Sequence, residues 1–531
     1  MQNTVEVLPY SIDALDEILG RCTKATKDII QSKLHRVFLN EYFSKLSART
    51  IVVEYKYIDR DYLEDFAAYY IRCFENYEST CTRLHFFDIA FDLTAFMAAL
   101  EGEEGAGFLE SIKQAYLGFI VVKNLPSTFI GRTCLRPYPA HGVRCFPIVR
   151  EYKAGLFGIP LEVRSLAYQE QDRVVAACAT SALWSIFQGT GILFHHRIPS
   201  PVEITRIATS QFALESRSIP SNGLNAQQMA HAIRTVGLEP FLIKVKDEAI
   251  LKNSAYAYLK GGIPVLLGVK LVDQTTKEPS EGGGHAIAIT GFSISESQGK
   301  KDPLTGMHLN AYGIDKFYGH DDQVGPFARM TFDGIKYKKE KGSAEEFSLS
   351  TSWKDKSGKL GGIRAVPLYI LVPLYHKIRI PFSFVQEVMV EFDGIIAQVG
   401  KNVPGLITFA FEYDLFLISN NDFKKELKES GKIKGHRLSR YLLTSLPKYL
   451  WRANIKVSGK DVFDFLFDAT DIEQGNIFLL AVEYEKEIST VIRCLSKELS
   501  VAIRNSRSLG VRKIFEWFES ETTQVLKPEM S

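Results

Sequence analysis

The chain has no CxxC pair, and its seven cysteines (positions 22, 73, 81, 134, 145, 178 and 494) follow no regular spacing. That excludes a disulfide framework and a cysteine-rich zinc site. Long apolar runs are also missing. The longest, AVPLYILVPLY at 365–375, is short and broken by proline, so no membrane partner is expected. The opening MQNTVEVLPYSIDALDEIL carries neither a basic nor an apolar segment of the kind that starts a signal peptide. Net charge is nearly absent, +2 over 531 residues, and no nucleic-acid partner is expected. There is no P-loop and no repeat of fixed period. These absences leave a cytoplasmic protein with no cofactor as the expectation.

What is present is core material. The chain is 46% hydrophobic and 24% charged, with 35 Phe and 23 Tyr, which argues against disorder. Its length calls for several domains. Residues 1–114 read as a mixed α/β accessory domain. SIDALDEIL opens on a serine cap, and TIVVEYKYI (50–58) and RLHFFDI (83–89) have strand character. Residues 115–376 read as one further domain: a β-rich lead-in at 115–170, a core at 171–327 and an exposed polar loop at 336–362. Residues 377–531 form an α/β domain, with strands in LITFAFEYDLFLIS and NIFLLAVEY and with a possible protein-docking role.

One cysteine stands apart. In VVAACATSALWSIFQG (174–189), Cys178 opens an apolar helix after small residues. A lone cysteine is most often a small buried hydrophobe. A thiol at a helix N-terminus instead feels the positive end of the dipole, which favours thiolate. A second motif, EGGGHAIAITGF (281–292), puts His285 at the head of an apolar strand after three glycines. Gly283 and Gly284 let backbone or substrate approach the ring. A third, GIDKFYGHDDQVGPF (313–327), ends a strand in Asp321 and Asp322, either of which can orient an imidazole. Asp322 is also expected to touch substrate. An oxyanion needs a donor. Gln171 is the first choice and Gln169 the second, with the Cys178 backbone N–H beside it. The pair His195–His196 lacks further ligands at useful spacing and reads as an ordinary loop.

Taken in order, QDRVVAACATSAL, SNGLNAQQMAHAIRTVGLEPFLIKV, LKGGIPVLLGV, GGGHAIAITGF and FYGHDDQVGP resemble the papain-like cysteine peptidases. The nearest branch is the one that processes bacteriocin leaders at a double glycine. The resemblance covers about 150 residues, 171–327. It implies an α+β fold in which a nucleophile helix packs on an antiparallel sheet. It also implies a bacterial enzyme that cuts a peptide or isopeptide bond in a protein or peptide substrate. Cys178 would be the nucleophile, His285 the acid/base, Asp321 the orienter and Gln171 the oxyanion donor. The chain departs from that pattern in three places. Ala179-Thr180 replaces the usual Gly-Pro, the glutamine stands one residue too far upstream, and the insertion SESQGKKDPLTGMHLN (295–310) is expected to extend a hairpin near the site. The same triad serves deamidation, transglutamination or other acyl transfer. An inactive papain-like scaffold serving a larger assembly is a further alternative.

Overall fold

The structure is a computed structural model. It describes residues 5–102, 106–172, 174–175, 177–211, 223–274, 279–295, 301–337, 346–355, 357–402, 410–472, 476–498, 500–506 and 508–525. The fold is mixed α+β, and the chain divides into two compact units. The first holds residues 1–246, 262–293 and 315–373, and the second holds 247–261, 294–314 and 374–531.

The first unit begins with an antiparallel sheet. Val5–Pro9, Thr50–Tyr57, Cys81–Phe87, Tyr116–Lys123 and Ile130–Leu135 pair in chain order, with helices in three of the connections. Cys81–Phe87 and Tyr116–Lys123 are buried at every position. The near-continuous apolar run of Tyr116–Lys123 suits a strand covered on both faces, whereas Cys81–Phe87 buries Arg83 and His85 by pairing both with Glu54. This corrects the boundary expected at 114, because the strands from 116 to 135 complete the sheet begun at Val5. The hairpin Arg150–Leu156 with Ile159–Ser165 alternates buried and exposed residues, as a strand with one wet face must. Phe157 and Gly158 at its tip both have positive φ, the geometry of a tight two-residue turn.

The rest of the first unit is built on a closed barrel of six strands. Val265–Asp273, Pro279–Ile294, Ile314–Asp321, Gly325–Tyr337, Glu346–Ser350 and Ile363–Tyr375 follow one another around it. The last strand pairs antiparallel with the first, Leu266 opposite Leu371. Closure leaves no open edge between these strands. The helix Cys178–Phe194 packs on the strand Val265–Asp273, and its side chains from Ala179 to Gln188 are all buried. Residues 336–362 were expected as an exposed loop. Their described part instead contributes the strand Glu346–Ser350 and buries Trp353. An indole is too large and apolar to be left in water when a partner for its N–H is within reach.

The second unit has its own five-stranded sheet: His308–Leu309, Phe411–Ser419, Tyr449–Val457, Lys460–Asp468 and Phe478–Glu483. The first pair is parallel and the others antiparallel. Phe416, Ile418, Leu450, Leu466 and Val482 share a core with Phe423 and Leu427 of the helix Asn420–Glu429. The insertion expected as a hairpin near the site is partly described. Its strand His308–Leu309 belongs to this second sheet, since its backbone groups find partners on Phe411–Ser419.

Candidate active site

Cys178 is the first residue of its helix. Ala177, the residue before it, has no side chain that can cap, and none of the first-turn N–H groups receives a side-chain cap. Alanine there forgoes about 1 kcal/mol of helix stability. In exchange, no side chain blocks the first-turn N–H groups, and Cys178 itself lines an open cleft. Cys178 is half-buried, and none of the seven cysteines is in a disulfide.

His285 stands opposite Val269 across the first two barrel strands. Its Nε2–H donates to Asp321 Oδ2 at 2.7 Å. The other ring nitrogen is left for the thiol, and a Cys178–imidazole hydrogen bond is among the interactions that favour the charged ring. Burial alone would lower the imidazole pKa. The charge of Asp321, that of Asp322 whenever it is ionised, and the hydrogen bonds of the ring to Asp321 and Cys178 outweigh it and hold the pKa well above its ordinary value. Asp321 ends its strand and is held by three further donors. Its Oδ1 accepts from the backbone N–H groups of Gln323 and Val324 at 3.1 and 3.0 Å, and from Trp353 Nε1 at 3.3 Å. Burial opposes its ionisation. The charge and hydrogen bond of His285 and the two backbone donors prevail, and its pKa falls below the usual carboxylate value. Trp353 also meets the imidazole edge-on, at 6.2 Å and 86°.

A cleft of about 400 Å³ opens on Cys178, Gly284 and His285. Its walls mix apolar side chains, Leu224, Met229, Val269, Leu368 and the ring of Tyr369, with the uncharged polar ones of Asn225 and Gln228. Tyr369 lies flat on Gly268, where a Cβ would come within 2.3 Å of its ring, so only glycine permits the packing. Gly284 lines this cleft, and Gly283 takes a positive φ of 62° just outside it. A second, narrow space, too small to hold a water, is walled by Cys178, Tyr168, Gln169, Ser181, His320 and Asp322.

The structure thus brings together Cys178, His285 and Asp321, three of the residues chosen from sequence. It corrects two others. Gln171 is not among the residues walling either space at Cys178, whereas Gln169 is. Gln169 is 6% exposed, and its Nε2 has no hydrogen-bond partner, so its donor is uncommitted. The segment from Tyr168 to Asp172 is irregular, and spacing along the chain does not decide which glutamine turns inward. Asp322 does not line the open cleft. It is buried against the narrow space, because the turn after Asp321 directs it inward. Trp353 and Tyr369 were missed. The sole signal was an aromatic within a polar stretch and one within an apolar run.

His285, Asp321 and Asp322 are the one group among the described residues with ligand atoms close enough for a metal ion, all within 4.8 Å. The Nε2 that faces both carboxyls already donates to Asp321, which reads as a hydrogen-bonded triad. His196 is structural, paired with Thr190 Oγ1 and the Arg197 carbonyl. No helix among the described residues is long and apolar enough to cross a membrane. Compared with known protein families and with curated proteins, the chain matches none.

Proposed function

We propose that the chain is a papain-like thiol hydrolase that cleaves a peptide or isopeptide bond through a thioester. The observation that supports this most is the hydrogen-bonded His285–Asp321 pair with a cysteine at an uncapped helix N-terminus, Cys178 and His285 sharing one cleft. The thiolate of Cys178 attacks the carbonyl carbon and forms the C–S bond. The Cys178 N–H and the Gln169 amide donate to the oxyanion. His285 gives its proton to the leaving nitrogen as the C–N bond breaks. Water then attacks the thioester and loses a proton to His285. The carboxylic acid leaves and the thiolate–imidazolium pair returns. Asp321 holds the ring and its charge throughout. The apolar and uncharged polar walls suit a substrate with uncharged side chains beside the scissile bond.

The test is alkylation of the native protein with iodoacetamide, located by mass spectrometry, with the other six cysteines as internal controls. Selective labelling of Cys178 at neutral pH, lost in His285→Ala, is expected. Equal labelling of exposed cysteines with Cys178 inert would sink the reading. The acyl acceptor is settled separately by offering an amine beside water and weighing the product.

A further inference from the structure

Two carboxyl groups face one imidazole nitrogen, and they are held very differently. Asp321 has His285 and three other donors. Asp322 Oδ1 lies 3.5 Å from the same Nε2, an ion-pair distance but too long for a good hydrogen bond. Neither oxygen of Asp322 has a hydrogen-bond partner, though the residue is only 4% exposed. A buried carboxylate with no donors is costly, and the group answers by holding a proton.

The surroundings point the same way from every side. His320, on the strand that leads into Asp322, is buried with both ring nitrogens unpartnered, and burial lowers its pKa to about 3, so it stays neutral. Tyr168 and Glu170 face Asp322 from the irregular segment before the nucleophile, and both add negative potential when ionised. His35, from the helix Leu34–Lys45, bonds to Tyr168 and is held neutral by burial, with a pKa near 4. Cys178 and Ser181 close the space from the nucleophile helix. Burial opposes the ionised acid, as do the charges of Asp321 and Glu170, while the charge of His285 and the residue's own backbone N–H favour it. The balance lifts the Asp322 pKa to about 7. A site holding thiolate, imidazolium and the Asp321 carboxylate already carries one net negative charge. A second would have to be stabilised by that same imidazolium.

We propose that Asp322 is a positioning residue with its own proton, a carboxylic acid in the resting site that ionises in step with the charge on His285. Its ionisation sets the upper pH at which the imidazolium survives. This rests on the thiol-hydrolase reading. While Asp322 is protonated it adds no charge. Once ionised it sets a negative charge 3.5 Å from the imidazole nitrogen, and so favours the proton on His285 over its loss.

The experiment compares the full chain with Asp322→Asn, using iodoacetate across about pH 5 to 10. Iodoacetate is drawn to the imidazolium, so its rate with Cys178 falls as His285 loses its proton. The alkaline limb of Asp322→Asn is expected about one pH unit below that of the wild type. Superposed limbs in two folded proteins would overturn the proposal. A second measurement does not need the variant to react, or the thiol to be activated. Infrared spectra of the wild type less those of Asp322→Asn, which cancel the buried acid Asp65, should show the carbonyl band of a buried carboxylic acid below pH 7, fading as pH rises through about 7. Absence of that band at low pH also overturns it. Failure of Cys178 to label selectively, with the band present, would count against the hydrolase reading and leave the acid in place.

Discussion

The second unit also buries an aspartate, and it differs from Asp322 in almost everything but burial. Asp464 lies mid-strand and is fully buried. It accepts from Arg452 Nη2 at 2.8 Å, Asn454 Nδ2 at 2.9 Å and the Tyr484 hydroxyl at 2.5 Å. Asn454 is its direct partner across the strand pair, so sheet register itself delivers a donor. Asp322 sits one residue past a strand end, in the turn between Asp321 and Gly325, where no ladder neighbour exists. One acid is committed to the fold. The other has been left with an unsatisfied demand beside the His285 ring, in the candidate site.

The comparison breaks most visibly at the nucleophile. Cys178→Ala or His285→Ala should lower turnover of a cleaved peptide by roughly four orders of magnitude or more. Asp464→Ala should leave Cys178 labelling of the folded protein unchanged. Chemical denaturation should show a loss of about 2–4 kcal/mol, because Arg452, Asn454 and the Tyr484 hydroxyl each lose a buried acceptor, Arg452 keeping only Glu426 among the described residues. Asp322→Asn should do the reverse, and the sign follows from its folded pKa of about 7 against 3.8 unfolded. Below pH 4 both states hold the proton. Between pH 4 and 7 the unfolded chain releases it and the folded one does not, so the wild type loses stability with rising pH, by up to about 4 kcal/mol. The amide has no such slope. Melting curves should therefore favour the variant increasingly from pH 4 to 7 and run level above that, and parallel curves would remove the contrast between the two acids.

Smaller effects sharpen it. Gln169→Ala should cost about 100-fold in kcat with KM little changed, as expected of a lost oxyanion donor. Trp353→Phe keeps the ring and removes one of the donors that distinguish Asp321 from Asp322. It should cost about 1 kcal/mol of stability and a several-fold drop in the Cys178 labelling rate. No change in labelling would mean that the two backbone donors suffice to hold Asp321.

Much of the site could be read in advance, and the reason is local. Cys178 before an apolar run, His285 after three glycines and Asp321 at a strand end are each marked by their immediate neighbours. Strands such as Thr50–Tyr57, Phe411–Ser419 and Phe478–Glu483 announced themselves through apolar, β-branched and aromatic runs. What failed was non-local. Gln169 and Gln171 are two residues apart in an irregular segment, and no periodicity says which one turns inward. Trp353 lies in a polar stretch whose composition suggests solvent, yet its N–H is needed 32 residues upstream at Asp321. The strand at 116–123 belongs with a sheet whose first strand lies more than a hundred residues earlier, a pairing that local pattern does not encode.

The sequence alone determined which residues had the chemistry: a cysteine placed to feel a helix dipole, a histidine in a glycine-lined mouth and two adjacent acids after a strand. Dipoles, turn preferences and apolar periodicity act over a few residues, so they are written in a few residues. Tertiary structure decided the rest. Pairing of the strand Pro279–Ile294 with Ile314–Asp321 sets Asp321 against His285, the fold of Trp353 onto that pair supplies a donor, and the space beside Cys178 denies Asp322 one. Which of two neighbouring carboxyls is held and which is left waiting depends on donors that arrive from distant parts of the chain, and only the folded molecule brings them together.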